Sequence, residues 1–155
     1  MRALPLACAL LCLLQPGPAE PGVSQTPRHR IAKSGDSLTV ACSQDLDYEV
    51  MYWYRQDPGR GLQLLHYSIN VKIVQRGDLP DGYRVSREEK GRFLLTLESA
   101  IPNQTALYLC ASSFRRPNEK LFFGSGTKLS VLDNLTKVNP PKVAVFEPSE
   151  VEISR

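Results

Sequence analysis

The chain has 155 residues, a length that suits one ordinary domain with short attachments. Hydrophobic residues make up 42% and charged residues 23%, which argues against wholesale disorder. A net charge of +3 is too mild to point to nucleic acid, which calls for a clustered basic face.

The first segment, MRALPLACALLCLLQPGPA, carries one basic residue, an apolar run over residues 3–14, then proline, glycine and small residues. That is the layout of a secretory signal peptide, residues 1–19, cut after Ala19. The run is too short to span a bilayer, so a hydrophobic anchor is the weaker reading. Cleavage removes Arg2 and no acidic residue, so the charge falls from +3 to +2. Cys8 and Cys12 leave with it, and Cys42 and Cys110 remain in a chain routed to an oxidising compartment. A disulfide follows more naturally than two buried free thiols. It would close a loop of about 68 residues, worth about 4 kcal/mol on the chain-entropy account.

Short strand-like runs then alternate with turn signals. LTVACS (38–43) alternates apolar and small polar residues. VMYWYRQ (50–56) is aromatic and β-branched, and DPGRG (57–61) breaks it before LQLLHYSI (62–69). YRVS (83–86), RFLLTLES (92–99), TALYLCAS (105–112) and KLFFGSGTKLSVL (120–132) complete the set, with one helical turn possible at PNQ. Many short strands at this spacing predict an all-β sandwich or barrel over residues 20–132.

Period-2 geometry sharpens the expectation. Trp53 faces opposite to Tyr52, Tyr54 and Gln56, while Tyr108 and Cys110 share a face and Leu109 takes the other. Trp53 is the large apolar residue available to cover the sulfurs. Tyr108, two residues before Cys110, can hydrogen-bond back to the turn before its strand. Cys42, a Trp 11 residues later and Tyr-x-Cys together form the signature of an immunoglobulin sandwich. Tyr54, Gln56 and Leu109, with Leu62 and Phe123, form a mostly apolar patch on the opposite face, the kind that marks an interface.

From Asp133 the chain turns polar and proline-rich, with one strand-like run, KVAVF. Residues 133–155 read as a linker plus the first strand of a second domain that is cut off; a disordered tail is the alternative. Asn103 and Asn134 stand in glycosylation sequons at a turn and in this linker.

No catalytic constellation is legible. His29 sits in the basic run PRHR and His66 in a strand, neither with cysteine or carboxylate at metal spacing. GSG (124–126) is not a nucleophile elbow, and no phosphate-cradling glycine pattern occurs. Glu88 and Glu89 read as part of a solvated charged turn. The expectation is no enzyme, no cofactor and no metal.

CSQDLDYEVMYWYRQDPGRGLQLLHYS, above all WYRQDPG, resembles a T-cell receptor beta variable domain. YLCASS is similar to the end of a beta variable segment, and NEKLFFGSGTKLSVL, with F-G-x-G-T at 123–127, to a beta joining segment. VAVFEPSEVEIS is similar to the start of the beta constant domain. Antibody light chains share the Cys–Trp–Cys frame and F-G-x-G but usually read WYQQ. A cell-surface adhesion immunoglobulin domain is the other alternative, and the joining-type ending argues against it. One position departs from the pattern: many variable domains carry an Asp, paired with an Arg across the sandwich base, where this chain has Gln104.

The resemblance implies a variable-type sandwich that binds peptide held by an MHC molecule, jointly with an alpha chain. It implies assembly with invariant signalling subunits and a secretory route to the plasma membrane; the residues given contain no transmembrane segment for that anchor. It assigns LDYEV (46–50) to a first hypervariable loop with Asp47, Tyr48 and Glu49. SINVKI (68–73) becomes the second, with Asn70, Val71 and Lys72, and REEKG (87–91) a lesser fourth turn. The third, within 111–122, offers Phe114, Arg115, Arg116, Pro117, Asn118 and Glu119. Its arginines can form bidentate bonds to carboxylates, which suggests an acidic or carbonyl-rich ligand surface, unless one of them pairs with Glu119 or faces solvent. Tyr54, Gln56, Leu62, Leu109 and Phe123 become the alpha-chain contact, with the F-G-x-G glycines permitting a bulge that bends the last strand toward the partner.

Overall fold

A computed structural model describes residues 22–117 and 119–133. Residues 1–19, expected to be a signal peptide, Asn118, Asn134 and the KVAVF run lie outside the described residues.

Among the described residues, eleven strands form two packed sheets: β1 (Val23–Thr26), β2 (His29–Lys33), β3 (Leu38–Gln44), β4 (Val50–Gln56), β5 (Gln63–Asn70), β6 (Ile73–Arg76), β7 (Arg84–Glu89), β8 (Arg92–Leu97), β9 (Ala106–Ser113), β10 (Phe122–Phe123) and β11 (Thr127–Leu132). The smaller sheet runs β1-β3-β8-β7; the larger runs β2-β11-β9-β4-β5-β6, with β10 beside β9. All pairs are antiparallel except β11 with β2.

The alternation in β3, β8 and β9 turns one side of each strand inward, the pattern of a strand with one buried face. Trp53 lies across from Cys110 in the β4–β9 register, and both are fully buried. The Cys42–Cys110 disulfide joins the two sheets. Around it pack Val40, Leu65, Phe93, Leu95, Leu97 and Leu129. β4 is buried on both faces at its start, so Tyr52 seeds a second cluster with Val50 and Ala111 on the far side of the large sheet.

The end of the sandwich away from the loops is closed by hydrogen bonds. The Tyr108 hydroxyl donates to the Gln104 carbonyl at 2.6 Å and meets the Tyr83 hydroxyl at 2.8 Å. Gln104 closes the 3₁₀ turn Pro102–Gln104: its Oε1 accepts from Ile101 N at 3.0 Å, and its Nε2 donates to Gly82 O at 3.1 Å. Neutral amide bonds thus hold the position where the family pattern has an acid. The cation of this region is Arg55 instead, which donates to Asp57, the Tyr83 hydroxyl and the Asn103 carbonyl.

The F-G-x-G stretch has a local cause. Gln25 is buried against it; its Oε1 accepts from Cys110 N at 2.9 Å and Gly126 N at 3.0 Å. A Cβ on Gly124 would stand 2.6 Å from that oxygen, and Gly126 has a φ of +90°. Only glycine suits both positions.

The structure differs from the sequence expectation in three respects. β1, β2 and β6 escape a reading based on alternation, because each buries one residue or none. Glu88 and Glu89 end strand β7 rather than lying in a turn, and Arg87 beside them is buried. Most of 68–73 is strand, because β5 runs through Asn70 and β6 starts at Ile73. The second loop therefore shrinks to the turn at Val71 and Lys72, with Lys72 at a φ of 62°.

Candidate functional site

Four connections meet at one end of the sandwich. The first loop joins β3 to β4, the second joins β5 to β6, the third joins β9 to β10, and a fourth turn at Lys90 and Gly91 joins β7 to β8. Tyr48 links the first to the third: its ring stands 5.7 Å from Phe114 and 5.5 Å from Phe122. Glu49 N donates to Phe114 O at 3.0 Å across the same junction.

The third loop is shaped largely by its own residues. Glu119 Oε2 accepts from Arg115 N at 2.9 Å, and Ser113 Oγ donates to Arg116 O at 3.0 Å. The Arg115 guanidinium lies 4.7 Å from the centre of the exposed Phe114 ring, a cation–π arrangement. Glu119 thus spends its carboxylate on backbone. Among the described residues, neither Arg115 nor Arg116 forms an ion pair. Arg115, Arg116 and Pro117 are all exposed.

The first and second loops are held differently. Gln44 brackets Tyr48, accepting from its N–H at 3.1 Å and donating to its carbonyl at 2.7 Å. Asn70 Oδ1 accepts from Val71 N at 2.7 Å, and Lys72 N donates to Arg87 O at 2.8 Å. Asp47 pairs with Lys90 at 2.8 Å and Lys72 with Glu88 at 3.5 Å, both on the surface. Beneath them the Arg87 guanidinium donates to Tyr48 O, Glu49 O, Ser68 O and Lys90 O. Desolvation draws its pKa down to about 10 against the opposing pull of Glu49, so the group stays charged at neutral pH.

A second surface covers the outer face of the large sheet. Tyr54 is the register partner of Leu109, and its ring lies 6.0 Å from Phe123. Tyr52 stacks between Tyr54 and Tyr67, with interplanar angles of 21° and 19°. Leu62 and Phe123 are each 43% exposed, Gln56 is half-buried on the same strand as Tyr54, and Leu64 and Leu121 fill the gaps. Burial pushes the Tyr52 and Tyr54 phenols up, so these two stay neutral at neutral pH. Tyr52 and Tyr67 complete the aromatic row and were missed from sequence, although the period-2 count already put Tyr52 beside Tyr54.

The immunoglobulin V-set domain family matches residues 25–132. The human protein T cell receptor beta variable 27 is 56% identical over 108 residues, 70% of this chain and 95% of that protein. The mouse T-cell receptor beta chain V region LB2 is 50% identical over 111 residues, 71% of this chain and 82% of its own length. The chain belongs to the T cell receptor beta variable family. A viral T-cell receptor beta chain-like protein of feline leukemia virus is 42% identical over 156 positions, covering 97% of this chain and 48% of its own length. As a beta variable chain it is a receptor component with a role in antigen recognition, not an enzyme.

Two features of the beta variable domain left no mark legible in the sequence. Arg87 stood in a run read as a charged surface turn, and its 1% exposure comes from tertiary packing. Gln25 and Gln44, both buried, stand in no motif. A cleft of about 410 Å³, lined by Pro58, Leu107 and Leu129 among others, lies toward the opposite end from the loops. No helix long and apolar enough to cross a membrane occurs among the described residues.

Proposed function

We propose that the chain is the beta subunit of an alpha/beta T-cell receptor, which recognises peptide presented by an MHC molecule. The observation that carries this reading is the junction at Tyr48, where the first loop packs on the third. Asp47, Tyr48, Glu49, Asn70, Val71, Lys72 and the third-loop residues Phe114 to Glu119 form the binding surface. A rigid sandwich with its variable chemistry on loops at one end suits that task.

The Tyr52, Tyr54 and Tyr67 row, with Gln56, Leu62, Leu109 and Phe123, is the alpha-chain contact in this reading. Its apolar core and lack of charge fit a permanent interface. Arg115 and Arg116 give the third loop a preference for an acidic or carbonyl-rich surface. Their guanidiniums are not engaged by a described carboxylate, and Phe114 supplies apolar area beside them. Residues 1–19 act as signal peptide, residues 133–155 open a constant domain, and the assembled receptor reaches the plasma membrane with invariant signalling subunits. Asn103, exposed away from the loops, carries a glycan, and Asn134 offers a second site.

Co-expression with a panel of alpha chains, followed by peptide–MHC tetramer staining, tests the reading. The expected result is surface pairing and staining with at least one tetramer. Arg115→Ala with Arg116→Ala then weakens staining, most for acidic peptides. Failure to pair with any alpha chain would overturn the reading, and unchanged staining would remove the arginine assignment alone.

A further inference from the structure

Arg87 forms an unusual site. It is 1% exposed and has no carboxylate at ion-pair distance among the described residues. Burying a charge without a counter-ion is costly unless hydrogen bonds replace its water. Arg87 has five acceptors. Nη1 donates to Glu49 O at 2.6 Å, Ser68 O at 3.1 Å and Ser68 Oγ at 3.4 Å. Nη2 donates to Tyr48 O at 3.1 Å and Lys90 O at 2.8 Å, and Nε reaches Lys90 O again at 3.2 Å.

The acceptors come from separate segments. Tyr48 and Glu49 belong to the first loop, Ser68 to the strand that delivers the second, and Lys90 to the fourth turn. Arg87 O accepts the Lys72 N–H of the second loop at 2.8 Å. Gln44 adds a parallel bracket, donating to Tyr48 O at 2.7 Å and to Lys90 O at 3.2 Å.

We infer that Arg87 is the positioning residue for the first and second loops, holding both by their backbone against the fourth turn. Four of its five acceptors are main-chain carbonyls, present whatever side chains the loop carries. The contact therefore fixes loop shape while leaving Asp47, Tyr48 and Glu49 free to differ in chemistry. No described residue of the third loop bonds to Arg87. That loop inherits its seat at second hand, from Tyr48 through Phe114 and Phe122.

A guanidinium fork can span these acceptors, whereas an ammonium has three donors on one atom. This inference rests on the loops being the binding surface, yet its test needs no ligand. Amide hydrogen exchange is measured residue by residue on the full chain, with Cys110 N–H, held by Gln25 Oε1, as the core reference. In Arg87→Lys, which keeps a buried cation, the Tyr48, Glu49 and Lys72 amides should exchange at least tenfold faster, with Cys110 unchanged. Arg87→Met should widen that gap further. In Asp47→Ala with Glu49→Ala, loop protection should stay at the wild-type level, because the bonds are to backbone. Loop amides as slow in Arg87→Lys as in wild type, or a uniform acceleration that includes Cys110, would overturn the assignment. So would loss of protection in the loop double variant. Tetramer staining has no bearing on any of these outcomes.

Discussion

Arg55 and Arg87 are buried at opposite ends of the sandwich and are satisfied by different chemistry. Arg55, 7% exposed, sits at the closed end with a carboxylate at 2.9 Å, a phenol at 2.9 Å and one carbonyl. Burial works against its charge, but Asp57 and Tyr83 outweigh that and raise its pKa. Arg87, at the loop end, has carbonyls and one hydroxyl, and burial prevails. The first is held by particular side chains, so that end depends on particular residues. The second is held by backbone, so the loops around it can vary. On the proposed reading of the loops as the binding surface, that asymmetry lets one end vary on a fixed frame.

The largest test sets the two arginines against each other. Arg87→Met takes the donor from five acceptors at once, two of them on the fully buried Ser68, so a loss of about 3 kcal/mol is expected. Arg55→Met should cost less, about 2 kcal/mol, because the Asp57 side chain is 22% exposed and can rehydrate, and Tyr83 keeps Tyr108. Chemical denaturation of both variants decides it. A less stable Arg55 variant would invert the comparison.

Next in size is Tyr108→Phe, which removes the bonds to Gln104 O and Tyr83 and should cost about 1–2 kcal/mol at neutral pH. The two ends also differ in their response to alkali. Burial, and then Tyr83, raises the Tyr108 pKa above the ordinary 10.0, so its contribution is present below pH 10 and lost as pH climbs beyond it. Tyr52 and Tyr54 act in the same direction. Arg87 opposes them: its native pKa of about 10 lies below the ordinary 12.5, so between those values the unfolded chain holds the extra proton and stability gains with pH. Stability measured from pH 8 to 11 should therefore fall less steeply in Tyr108→Phe than in wild type, and more steeply in Arg87→Met. Parallel curves for all three proteins would remove the electrostatic half of the comparison.

A smaller effect is expected at Gln104→Asp, which restores the acid common in variable domains. The amide donor to Gly82 O is lost, and the residue it reaches is a glycine rather than an arginine. The expected cost is about 1 kcal/mol, read as a shift in Tm. A gain instead would mean that Arg55 can serve a second carboxylate.

The frame was legible because its signals are local and periodic. Trp53 opposite Cys110, and Tyr108 hydrogen-bonded to the turn before its strand, follow from counting along β4 and β9. The edges were not legible: β2 buries only Ala32, and β6 buries nothing. The second loop was drawn too long because alternation cannot show where a strand hands over to a two-residue turn. At the loop end the turns could be found, but what supports them could not. Arg87 looks like any arginine in a charged run, and four of its five acceptors are carbonyls that every residue has. Only the approach of β7 to the first loop makes it a hub.

The smallest expected effects concern the surface pairs that run alongside Arg87. Asp47 with Lys90 and Lys72 with Glu88 tie the same loops to the fourth turn, but their side chains are largely in water: 86% and 38% exposed in the first pair, 71% and 68% in the second. Exposed pairs contribute about 0–1 kcal/mol and are screened by salt. Lys72→Ala and Asp47→Ala should each shift stability by less than about 0.5 kcal/mol, with no change at high salt. That near-neutrality is what the comparison requires. If Arg87 holds the loops from below, the charges above it are free to meet a ligand, and losing one should leave loop amide protection intact. A larger loss in either variant, abolished by salt, would mean the surface pairs carry the loops and that the buried cation is less than their common support.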